Sequence, residues 1–101
     1  MTFGLKDEVI DKIVAVFSLF PEVEKAILYG SRAKGNYKQG SDIDIALVGK
    51  KINLTILNKI ELVLDDLFLP YTFDICIFHQ ISNIDLIDHI ERIGIILFQK
   101  Q

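Results

Sequence analysis

Gly30-Ser31, followed ten residues on by Ser41-Asp42-Ile43-Asp44, has the residue types and spacing for chemistry on a charged substrate. Asp42 and Asp44 sit two apart at the head of an apolar run, Ile43-Asp44-Ile45-Ala46-Leu47-Val48, which reads as a strand. Side chains alternate between the faces of a strand, so residues two apart project together. Two carboxylates projecting together outline a divalent-cation site. The glycine-serine turn upstream offers backbone N–H groups to an anion, with a helical N-terminus behind it as a source of further donors. Cation and phosphate together are what nucleoside-triphosphate chemistry requires.

Asp74 is the third acid of this set. It lies between Phe73 and Ile75, where a strand ordinarily carries an apolar or hydroxyl side chain. One helix separates its strand from that of Asp42 and Asp44, so the two strands can lie side by side. Adjacent strands are about 4.8 Å apart, and three carboxylates could then converge. Clustered anions repel one another and resist desolvation, a penalty that bound cations remove. Singly, each acid has a plainer explanation: Asp before a strand caps a turn, and Asp within one marks its solvent side. Their conjunction with Gly30-Ser31 favours the metal site.

Other residues around the turn are read more simply. Gly30 and Gly35 have the separation of a P-loop, but Asn36-Tyr37 stand where Lys and Ser or Thr belong, so that reading fails. Among Arg32, Lys34 and Lys38, Arg32 is the candidate for phosphate or an acidic partner, because its planar fork suits bidentate contacts. Lys38 reads as a solvated loop charge. His79 and His89 lack metal-ligand spacing and are read as surface or capping residues. Tyr29 and Tyr37 flank the turn, and contact with a base or partner and simple aromatic packing explain them equally well.

Elements that would position these residues follow from periodicity. Leu5, Val9, Ile13, Val16, Phe17 and Phe20 recur at helical spacing up to Pro21. Lys25 to Tyr29 is a short strand ending at Gly30, and Ser31 to Gly40 is a polar loop with room for one helical turn at its start. The second strand spans about Asp42 to Val48. Asn53 caps a helix burying Leu57, Ile60, Leu64 and Leu67, and Pro70 ends that helix or follows its end. Thr72 to Phe78 is the third strand. Ser82 with Asp85 resembles a capping box and opens a helix burying Ile84, Ile87, Ile90 and Ile93. Ile95 to Phe98 is an edge strand or a packed tail. Alternating helices and strands make this an α/β (α+β) chain, a small mixed sheet with helices against it.

Bulk properties narrow the functional classes. The 101 residues, half of them apolar and a quarter charged, are expected to form a single domain over 1–101. A net charge of −3 gives no basic field for nucleic acid. One cysteine, Cys76, admits no intramolecular disulfide and fits a reducing cytoplasm. No signal-peptide layout opens the chain, and no apolar stretch approaches the ~20 residues of a membrane helix.

Gly30-Ser31 with Ala33 and Gly35, then Ser41-Asp42-Ile43-Asp44, then Asp74 on a later strand, resembles the polymerase-beta-like nucleotidyltransferase superfamily. The short length and the ending Ile90-Glu91-Arg92-Ile93-Gly94-Ile95-Ile96-Leu97-Phe98 make it most similar to the minimal nucleotidyltransferase (MNT) antitoxins. The resemblance implies transfer of AMP from ATP to a tyrosine of a HEPN-domain ribonuclease toxin encoded beside the antitoxin. It implies that Asp42, Asp44 and Asp74 hold two Mg2+ ions, with Asp74 also helping to deprotonate the attacking hydroxyl. Gly30 and Ser31 would hold the triphosphate, with Arg32 and Ser41 in the same nucleotide-binding set. Lys34 stands where arginine is frequent, keeping the charge and losing the fork. Two other readings stay open: an antitoxin that works by occlusion alone, and an enzyme acting on a small molecule with a separate substrate-binding subunit.

Overall fold

A computed structural model describes residues 2–101. The first helix, α1 (Asp7–Ser18), places Asp7 and Glu8 at the positive end of its dipole and buries Ile13, Val16 and Phe17. Leu5 belongs to the same core but precedes the helix, in a bridge with Thr2. After β1 (Lys25–Tyr29), Gly30 opens a five-residue helix, α2 (Gly30–Lys34), at the place where the sequence has room for one turn. β2 (Ile43–Val48) leads into α3 (Leu54–Asp65), where the Asn53 side chain accepts from the Ile56 N–H at 3.0 Å. Leu67, expected in the stripe of this helix, lies just beyond its end and packs on the same core. β3 (Phe73–Ile77), a 3-10 turn over Phe78–Gln80, α4 (Ile84–Ile93) and β4 (Ile95–Gln99) complete the chain.

The strands form one mixed sheet in the order β3-β2-β1-β4. β1 is antiparallel to both neighbours, and β2 is parallel to β3 across the α3 connection. Strand alternation then sorts the side chains. Ala26, Leu28, Ile43, Ile45 and Leu47 face the main core beneath α1 and α3. Ile27, Tyr29, Ala46 and Cys76 face the other side, where Ile90 and Leu86 of α4 cover them. Central strands are thus buried on both faces, and Ala46 is as buried as its apolar neighbours. The last apolar segment is an edge strand on β1, with a bulge between Ala26 and Ile27 and the Phe98 ring tilted against Phe17, centroids 6.4 Å apart.

Two expectations for α4 are corrected. Its cap is Asn83 rather than Ser82, with Oδ1 accepting from the N–H groups of Asp85 and Leu86 at 2.9 and 3.2 Å. Ile84 is exposed, because a stripe taken every third residue drifts round the helix and leaves Ile84 about 120° from the buried Ile90. The buried anchor is Ile90. Ile90→Ala is expected to destabilise the chain by about 2–5 kcal/mol, read as a lower urea midpoint at an unchanged m-value.

Candidate active site

The register of the sheet assembles the acids. Asp44 is paired with Asp74 across the parallel β2–β3 ladder and with Tyr29 across the antiparallel β1–β2 ladder. All three side chains lie on the face that α4 covers, at its open end: Asp74 is exposed and Asp44 half-buried. Asp42 stands one residue before β2, exposed. Among the described residues no three acidic, histidine or cysteine side chains close into a ready-made metal cage. The site is an open surface. A cavity of about 460 Å³ lies at the far end of β1, lined by Pro21, Lys25, Lys50 and Lys100 among others, away from the acids.

Gly30 is fitted against this cluster. Its φ is +76°, and a Cβ at this position would run into the Asp44 carboxylate. Both facts require glycine, and the second means that main chain lies directly on the acid. Ser31 follows in the turn, half-buried, its carbonyl accepting from the N–H groups of Gly35 and Asn36 at 2.9 and 3.2 Å.

Arg32 takes a different role from the phosphate contact expected of it. It is 3 % exposed, and its guanidinium donates to the Ser41 carbonyl from Nε and Nη2 at 3.2 and 2.8 Å and to the Phe3 carbonyl at 2.9 Å. The rings of Tyr37 and Tyr71 lie 5.4 and 5.2 Å away. The fork fastens the α2 turn to the segment that delivers Asp42. Ser41 is also engaged: its hydroxyl accepts from the Lys38 N–H at 2.8 Å and closes the loop before β2. Arg32→Lys should therefore destabilise the chain by about 1–3 kcal/mol in urea melts, because an ammonium cannot reproduce the fork.

Tyr29 is buried, its hydroxyl 3.5 Å from the Cys76 sulfur. Burial, then Cys76 and the charges of Asp74 and Asp44, push its phenol far above the ordinary value, so it stays neutral and serves packing. Tyr37 is on the surface over Arg32. His89, read from the sequence as a surface or capping residue, is part of the site. Its Nε2 accepts from the Gly30 N–H at 3.1 Å, and its ring meets Tyr29 edge-on at 6.1 Å. Its helical phase carried the available signal, since Leu86 and Ile93 flank it at i−3 and i+4 on one face.

Comparison with known proteins decides the family. Residues 11–101 match the family described as Polymerase beta, Nucleotidyltransferase. The chain belongs to this nucleotidyltransferase family. The resemblance read from Gly30-Ser31 and the three acids is borne out at that level. No curated protein matches the sequence directly. Among solved structures, a toxin–antitoxin with AMP-PNP superposes with a TM-score of 0.73 at 20% identity, over 91% of this chain and 74% of that one. A variant of the toxin–antitoxin MntA–HpeT, with two aspartates two positions apart changed to glutamate, gives 0.67 at 17% identity, over 96% and 75%. A second MntA–HpeT variant, with one tyrosine changed to alanine, gives 0.68 at 22%, over 97% and 76%. At these identities the likeness is one of fold.

The electrostatics of this nucleotidyltransferase suit a hard cation. Burial, then the charges of Asp74 and Asp42, raise the Asp44 carboxyl above its ordinary value near 3.8. Negative charge is thus gathered in excess around an oxygen-only donor set, the kind magnesium takes. A raised folded-state pKa means that stability from protonated Asp44 is fully present below about 3.8 and is lost as pH rises through the raised value. In chelator, Asp44→Asn should remove that loss, leaving the variant at least as stable as wild type at neutral pH in thermal melts. A clearly destabilised variant would assign Asp44 a hydrogen-bonding role in the fold instead.

Proposed function

We propose that this nucleotidyltransferase is the antitoxin of a toxin–antitoxin pair and transfers AMP from ATP to a hydroxyl, that of a tyrosine, on a HEPN-domain toxin encoded beside it. The observation that carries the reading is the register pairing of Asp44 with Asp74 at the open end of the sheet, directly against the Gly30 turn. The fold likeness to toxin–antitoxin structures, one with AMP-PNP and one altered at two aspartates two apart, supports it.

Asp42, Asp44 and Asp74 would hold two Mg2+ ions, and Gly30 and Ser31 would face the triphosphate. When bound, magnesium supplies positive charge that neutralises phosphate oxygens and makes the attacking hydroxyl more acidic. The chain's own part is orientation and proton transfer. The acceptor oxygen bonds to the α-phosphorus while the bond to the bridging oxygen breaks. Pyrophosphate leaves with that electron pair, and the hydroxyl proton passes to the Asp74 carboxylate. An open site with Asp42 and Asp74 exposed is one that a side chain on another protein can reach. Among the described residues no helix is long and apolar enough to cross a membrane. The proposed reaction runs in the cytoplasm, where ATP is available.

Co-expression with the neighbouring gene product, followed by intact mass spectrometry of that partner, tests the reading. Gain of AMP on a tyrosine, with loss of toxicity, is the expected result. A partner neutralised without any added mass would overturn transfer as the mechanism.

A further inference from the structure

We propose that His89 is a positioning residue of the nucleotide site: its Nε2 holds the Gly30 amide and so keeps the turn seated on Asp44. The proposal rests on the reading of the Gly30-Ser31 turn as the triphosphate site. β1 ends at Tyr29, and the first N–H groups of α2 have no partner within the helix. The Gly30 N–H, the first of these, is taken by an imidazole from 59 residues away in sequence. Accepting at Nε2 places the ring hydrogen on Nδ1 and makes His89 a neutral acceptor. Edge-on contact with Tyr29 sets the plane of the ring, and Ile90, the next residue, anchors α4 in the core.

This arrangement has two consequences. The Gly30 N–H is already engaged, so the donors left for phosphate are those that follow it, the Ser31 N–H and hydroxyl. The seating of α4 is also tied to the turn, because one bond joins the middle of that helix to the residue that touches Asp44.

The test separates this bond from ordinary packing. His89→Ala removes the acceptor; His89→Gln keeps one, because Gln Oε1 reaches about as far as the imidazole Nε2. Leu86→Ala loosens the packing of α4 and leaves the bond in place. Magnesium AMP-PNP is titrated calorimetrically into each protein, and the Gly30 amide proton is followed by NMR without nucleotide. His89→Ala should bind about tenfold more weakly, the loss of one half-buried hydrogen bond. Its Gly30 amide proton should move upfield, and His89→Gln should recover most of both changes. Leu86→Ala should lower the melting temperature and keep wild-type affinity. A folded His89→Ala that binds as tightly as wild type overturns the positioning role. An equal loss of affinity in Leu86→Ala overturns it too, in favour of packing. A wild type that binds no AMP-PNP overturns the nucleotide reading itself, and the Gly30 amide shift then shows whether the bond exists apart from it.

Discussion

Asp44→Asn is expected to lower nucleotidyl transfer by roughly 10²–10³-fold or more, the scale at which a transition-state charge contact is lost. Asn preserves the shape of the side chain against Gly30 and removes its charge and one anionic oxygen. Asp44 is the residue that both ladders converge on, so no neighbour can substitute for it. Magnesium with ATP should raise the melting temperature of wild type through selective binding to the native state, and leave that of the variant unchanged. The decisive form of the experiment is the double variant Asp42→Ala/Asp44→Ala, co-expressed with the neighbouring gene product. Loss of AMP from the partner together with return of toxicity is the expected pair of outcomes. Full neutralisation by the double variant would sink catalysis as the mechanism and leave occlusion in its place.

The acids were legible in the sequence because they break a rule visible at short range. A strand alternates, and Asp44 and Asp74 each interrupt an apolar run on the face that strand pairing then brings together. Helix caps were legible where the capping residue directly precedes the apolar stripe, as at Asn53. At α4 two adjacent residues, Ser82 and Asn83, can each cap, and the Asn83 side chain takes the role. Ile84 and Ile90 stand six residues apart, about 120° round the helix, so one is exposed while the other is buried. The sheet order β3-β2-β1-β4 has no local signature either, since the hydrophobic pattern of a strand does not say which neighbour it takes.

Arg32 and His89 show the other limit. A cation beside a phosphate turn invites a phosphate contact, yet the Arg32 fork is satisfied by two carbonyls, one of them from Phe3 near the start of the chain. A buried guanidinium must be hydrogen-bonded, and here backbone carbonyls supply its acceptors. His89 was inconspicuous because its partner is a main-chain N–H, and an N–H has no side-chain type to search for. Both residues act on the site by fixing the backbone around it: Arg32 holds the segment before Asp42, and His89 holds the turn at Gly30.

Gly30→Ala should put a methyl directly against the acid cluster and cost activity as well as stability. A positive φ alone costs an alanine about 1–2 kcal/mol. Gly40, with φ +85° and nothing within 4 Å of where a methyl would stand, supplies the control for that strain, so Gly40→Ala should show it and nothing more. At Gly30 the added carbon meets the Asp44 carboxylate, and either the acid or the turn must move. A displacement of about 1 Å at a reacting centre is enough to cost on the order of 10²-fold in rate. Transfer should therefore fall by about that factor in Gly30→Ala and remain at wild-type level in Gly40→Ala. The collision can be isolated by a double-mutant cycle in urea melts: once Asp44→Ala has removed the carboxylate, Gly30→Ala should cost no more than Gly40→Ala does. Additive losses in that cycle would mean that the methyl is accommodated elsewhere, and that the turn does not rest on the acid.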